Sequence, residues 1–200
     1  MNVKQSFLRL LMLGLLVLGA GCSLIPLRSL WALRSFDFNQ LDGAHLRALV
    51  YLPAGVATLP DALKLSVKVE RGNGEALTET LALRPNPAAL TGLPPAPAGA
   101  AGHWLALTLD AAEQQRLAQL RQRLQAWKAA DGPDAKRKLA LEAEPQLCVP
   151  RGSPALTAGQ VRLSAWLRWK AGQDDLLLLD DATARDMDEK LTRETLPPCS

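Results

Sequence analysis

Residues 63–83 read LKLSVKVERGNGEALTETLAL. Leu63, Leu65, Val67 and Val69 alternate with Lys64, Ser66, Lys68 and Glu70, Gly72-Asn73-Gly74 breaks the run, and Leu77, Leu81 and Leu83 alternate on the return. Successive side chains of a strand point to opposite faces, so this pattern gives one apolar and one polar face. Around a Gly/Asn turn it predicts a half-buried antiparallel hairpin.

Working outward, the same period recurs. A strand is expected near His45–Leu52, closed by Pro53, and another over His103–Leu109. Val161, Leu163, Ala165, Leu167 and Trp169 alternate with Arg162, Ser164, Trp166, Arg168 and Lys170, and Ala171-Gly172-Gln173 turns the chain into Leu176–Leu179. That is a second hairpin. Further strands are expected at Leu139–Ala143 and Leu147–Val149, with Pro145 between them marking an edge or a bulge. One segment has the other period: Leu117, Leu120, Leu124 and Trp127 form an apolar stripe at helical spacing. Asp110 caps this helix, Glu113 stands three residues on, and Gly132-Pro133 ends it. A short acidic helix is expected from Asp181 to Leu191. Together these give an α+β, β-rich domain: an antiparallel β-sandwich-like fold with one inserted amphipathic helix and a short C-terminal helix. Residues 85–102 are Pro, Ala and Gly with almost no charge, and are expected to be a mobile loop within the domain.

The N-terminus has a different character. Lys4 and Arg9 precede the uncharged, Leu-rich run Leu10 to Leu18, and small residues lead to Cys22. This is the layout of a secretory signal, and the apolar run is shorter than the roughly 20 residues that span a bilayer. Leu18-Gly19-Ala20-Gly21-Cys22 resembles the lipobox of bacterial lipoproteins, with Gly19 where that family usually has Leu. The resemblance implies a signal peptide over 1–21, acylation of Cys22 and a lipidated tether over 22–40 carrying the single domain of 41–200. Two or more acyl chains hold a protein stably on a membrane. Ser23, rather than Asp, after the lipidated Cys implies the inner leaflet of the outer membrane, facing the periplasm.

Removing 1–21 leaves 179 residues, enough for one domain with a sizeable core. The formal charge of +3 falls to near +1, because Lys4 and Arg9 leave with the signal and no acidic residue does. Charge therefore gives no argument for nucleic-acid binding. Cys148 and Cys199 remain, an even pair in an oxidising compartment, and are expected to form a disulfide. Closing that loop is worth roughly 4 kcal/mol in the chain-entropy model.

The residues offer little for catalysis. His45 and His103 each lie beside or within a strand, with no carboxylate or Ser arranged near them in sequence, and no nucleophile, metal-hydrolase, phosphate-loop or dinucleotide motif occurs. No catalytic, metal or cofactor site is expected. Asp174, Asp175, Asp180, Asp181, Asp186, Asp188 and Glu189 could gather a calcium ion, but lack the spacing of a helix-loop-helix calcium site and read better as a solvated helix. Arg116, Arg121, Arg123 and Lys128 on the long helix, continued by Lys136, Arg137 and Lys138, make a basic surface. That surface either meets lipid phosphates or an acidic partner, or is a solvated face partly neutralised by the acidic segment. Arg162, Trp166 and Arg168 share one strand face, which serves as an interaction face if exposed and as packing if covered. The functions left open are a non-enzymatic accessory or protein-interaction component of the envelope, a carrier of lipid or a small apolar ligand, and an envelope-acting enzyme.

Overall fold

The computed structural model describes residues 38–99, 101–132, 137–184 and 195–199. The expected signal segment 1–21, Cys22 and most of the expected tether of 22–40 lie outside them. Seven strands are described: β1 (Arg47–Pro53), β2 (Ala57–Arg71), β3 (Ala76–Pro85), β4 (Gly102–Leu109), β5 (Arg137–Cys148), β6 (Arg162–Arg168) and β7 (Leu176–Thr183). One helix, α1 (Ala111–Asp131), joins β4 to β5. All seven strands form a single antiparallel sheet in the order β5-β2-β3-β4-β1-β6-β7.

The hairpin forms as its alternation predicts. Leu63, Leu65, Val67 and Val69 pair across from Leu83, Leu81, Glu79 and Leu77. The Asn73 side chain accepts from the Glu75 N–H at 3.0 Å, and Gly74 takes φ 87°, a conformation that costs glycine least. Pro145 sits in β5, an edge strand of the sheet, the setting in which proline's missing N–H is tolerated. Opposite it, the register of β2 shifts between Thr58 and Leu63.

The sheet has two differently covered faces. Over β2, β3 and β4 lies α1, running from β4 across to β5. Asp110 Oδ1 accepts from the Glu113 N–H at 2.9 Å and starts the helix, and Gly132 at φ 83° ends it. The Glu113 carboxylate itself takes Arg116. Leu117 and Leu120 are fully buried against Val67, Leu81, Leu83, Leu107 and Leu109, with Leu124 and Trp127 at the margin. Burial of each such Leu contributes about 1.5–3 kcal/mol. The outward positions of α1 include Ala118, Ala126, Ala129 and Ala130.

The expected sandwich resolves into one sheet. Alternation tells which side chains share a face, but not which strands share hydrogen bonds. Here β1 pairs with both β4 and β6, joining the two hairpin regions edge to edge. Asp181 to Thr183, where a helix was expected to begin, complete β7, and residues 185–194 lie outside the described set.

Cys148 and Cys199 are disulfide-bonded, with Cα atoms 5.0 Å apart and a sequence separation of 51. The C-terminal segment docks beside the bridge: Cys199 N–H donates to Val149 O, and Val149 N–H to Pro197 O, both at 2.9 Å. Leu196 there joins a second apolar cluster with Leu52, Val56, Leu147, Val161 and Leu163. Among the described residues no helix is long and apolar enough to cross a membrane.

Candidate functional site

The face of the sheet turned away from α1 carries the candidate site. Register fixes its membership. Leu49 of β1 lies between Ala106 and Trp166, Tyr51 between Trp104 and Ser164, and Arg47 between Thr108 and Arg168. The middle of this face is aromatic. Trp104 stands edge-on to Tyr51 at 5.2 Å between ring centroids and tilted against Trp166 at 4.9 Å. Tyr51 is 7% and Trp166 8% exposed. Gly102 is required here, since a Cβ at that position would lie 2.8 Å from Tyr51 Cε1.

Trp166 is therefore covered, and the cover is neither solvent nor α1. Ala89 and Leu90 pack onto the cluster, from the Pro/Ala/Gly segment expected to be a mobile loop. Asn86 caps a single 3-10 turn there (Pro87–Ala89), with its Oδ1 accepting from Ala88 N–H at 3.2 Å. The apolar character of this segment has a local use: Ala89 and Leu90 cover an apolar face.

Arg47 holds it down. This residue is 3% exposed, yet four of its five guanidinium N–H groups are matched. Nη1 donates to Ala89 O at 2.8 Å and Thr91 O at 2.7 Å. Nε donates to Asp175 Oδ1 at 3.2 Å, and Nη2 pairs with the other carboxylate oxygen. A planar fork matched to a carboxylate is the arrangement for which arginine is suited. One side chain thus ties β1, the 89–91 segment and the 173–175 turn together.

Three surface clefts open around this face. One, of about 400 Å³, is lined by Arg47, Thr91, Arg168, Gln173, Asp174 and Asp175 among others. A second, of about 300 Å³, shares Arg47, Thr91 and Arg168 and adds His45, Asn86 and Thr108. The third, about 250 Å³, lies beyond the aromatic cluster beside Tyr51, Pro97, Arg162 and Ser164. Arg168 Nε is buried and without a hydrogen-bond partner among the described residues. A buried donor left so costs about 1–3 kcal/mol.

The residues proposed from sequence as one interaction face do not present one. Trp166 is buried, Arg168 is partly buried at one end of β6, and Arg162 at the other end is exposed and paired with Asp181 at 2.6 Å. Asp181 has φ 51°, rare for a non-glycine residue, in the bulge opposite Ser164. Ser164 Oγ accepts its N–H at 2.9 Å, and Arg162 Nη2 donates to its carbonyl.

The basic surface of α1 is largely engaged. Arg116 and Arg123 both reach Glu79 on β3, Arg116 also takes Glu113, and Arg121 donates to Leu41 O at 3.0 Å. Lys128 is exposed. Among the described residues the neutralising carboxylates are Glu79 and Glu113. The described carboxylates of that segment do not converge: Asp175 belongs to Arg47 and Asp181 to Arg162. Among the described residues no group of three metal-ligating side chains forms. His45, read as lacking a carboxylate neighbour, has one: its Nδ1 lies 2.6 Å from Asp42 Oδ2. Asp42 three residues earlier was the available signal. His103 is exposed on β4.

Three carboxyls sit below the usual aspartate value of 3.8: Asp42 through its hydrogen bond to His45, Asp110 through the Glu113 N–H, and Asp181 through Arg162. A group depressed in the folded state adds stability above its unfolded pKa and loses it as pH falls through the folded one. These three should leave the unfolding temperature unchanged down to about pH 5 and lower it progressively below about pH 4. Thermal melts across that range check this, and an unfolding temperature that stayed flat to about pH 2.5 would contradict it.

No family model, curated protein or solved structure matches this chain.

Proposed function

We propose that this chain is a bacterial lipoprotein, held by acylated Cys22 on the inner leaflet of the outer membrane. Its β-rich domain would act in the periplasm as a non-enzymatic accessory or protein-interaction component of the cell envelope. The observation that carries the reading is the run Leu18-Gly19-Ala20-Gly21-Cys22 behind a short Leu-rich segment. The Cys148–Cys199 disulfide supports export, because such bonds persist in oxidising compartments. The place where a carried apolar ligand would lie, between helix and sheet, is filled by Leu117, Leu120, Val67 and Leu81, all fully buried. That favours the interaction reading over carriage.

Cys22→Ser should leave an unlipidated precursor that no longer fractionates with membranes. Membrane fractionation equal to wild type, with no mass change when lipoprotein signal peptidase is inhibited, would refute the anchor. Lipidated protein drawn from intact envelopes should bring a stoichiometric protein partner. Stoichiometric lipid extracted into organic solvent, with no protein, would instead make the domain a carrier.

A further inference from the structure

We propose that Arg168 is the anchoring cation of a small oxyanion-binding site, taking a phosphate or carboxylate group at the junction of the two clefts beside β6. Charge matching on this face is uneven. Arg47 and Arg168 are direct cross-strand neighbours, and like charges so placed repel unless each is balanced. Four of the five Arg47 N–H groups are taken by Asp175 and two carbonyls, which also engages both Asp175 oxygens. Among the described residues Arg168 has no such counterpart: its Nε is buried without a partner there, and its side chain lines both clefts.

A guanidinium stays protonated throughout the physiological range, so the missing partner is an acceptor, best an anionic one. Neutral donors stand beside it. Thr91 and Gln173 line the larger cleft with it, and the Gln173 side chain, whose Oε1 accepts from Trp169 N–H at 3.3 Å, carries amide N–H groups. Cleft volumes of about 300 and 400 Å³ suit a group of small-molecule size. Asp174 is exposed on the larger cleft and opposes a pure anion there. This gives the site a signature: removing Arg168 weakens anion binding, and removing the Asp174 charge strengthens it.

The test uses the full chain in uncharged detergent. Inorganic phosphate, acetate and glycerophosphoglycerol, a soluble lipid-headgroup diester, are titrated separately against sodium chloride of equal ionic strength. Affinity is read in all three proteins from the calorimetric titration isotherm, and in the two that keep the arginine also from the Arg168 Nε–H resonance. At least one probe should shift it saturably. Arg168→Gln should weaken that binding about tenfold or more, and Asp174→Asn should tighten it several-fold. Preference for the diester assigns the source to a lipid headgroup, and preference for phosphate or acetate to a free anion. Asp174→Asn lies on an exposed turn, so it reads the site even if Arg168→Gln disturbs the fold. No probe exceeding chloride, or equal affinity in all three proteins, would overturn the proposal. The site does not depend on the lipid anchor, so failure of either leaves the other standing.

Discussion

Trp166→Ala should destabilise the domain by about 3–5 kcal/mol, the range for truncating a core aromatic. The residue is 8% exposed and meets Trp104 at 4.9 Å, with Leu49, Tyr51, Ala106 and Leu177 in the same cluster. Ala would leave a void beneath Ala89 and Leu90, which rest on this cluster without strand pairing of their own. Refilling that void needs the 86–99 segment to shift, and Arg47 restrains it at Ala89 and Thr91. Collapse is therefore limited, which puts the cost toward the upper part of the range. Trp166→Phe keeps most of the ring surface and should cost less than half as much. Urea unfolding with an unchanged m-value gives the comparison. A loss within about 0.5 kcal/mol, the usual span for surface changes, would show the residue to be exposed in solution.

Parts of the architecture could be read directly. Period-two alternation located the hairpin of residues 63–83, and the Asp110 cap with the Leu117/Leu120 stripe located the helix. Both signals are local, carried by neighbours within one or two turns or strands. Pro145 likewise marked an edge strand by chemistry that acts at its own position. What covers the second face was not legible, because a 3-10 turn in a Pro/Ala/Gly segment has no period to read. Alternation placed Trp166 opposite Leu163 and Leu167 but carried no information on whether that side was wet. The single sheet in place of a sandwich has the same origin: pairing of β1 with β6 joins residues more than a hundred positions apart. Even the Glu79 side chain that gathers Arg116 and Arg123 is distant in sequence from both.

The buried ion pair shows that limit most clearly, and its removal should also be costly. Arg47 and Asp175 are separated by 128 positions, and their side chains are 3% and 9% exposed. Arg47→Ala should cost about 3–5 kcal/mol, because it strands a buried carboxylate and leaves two carbonyls without donors. Asp175→Asn should be milder, since an amide oxygen still accepts from the guanidinium while the charge is left unbalanced. Replacing both members by apolar residues of similar length, Arg47→Met with Asp175→Leu, should recover much of the single-mutant loss, because no unpaired buried charge remains. The double-mutant cycle then gives a coupling energy of about 1 kcal/mol or more. A second readout separates stability from loop control. Arg47→Ala in native buffer should raise proteolytic cleavage within residues 91–99, while Trp166→Phe should not, because only the arginine anchors the carbonyls of Ala89 and Thr91. A coupling energy near zero, with cleavage unchanged, would mean that water holds both groups and that the segment stays down through its apolar contacts alone.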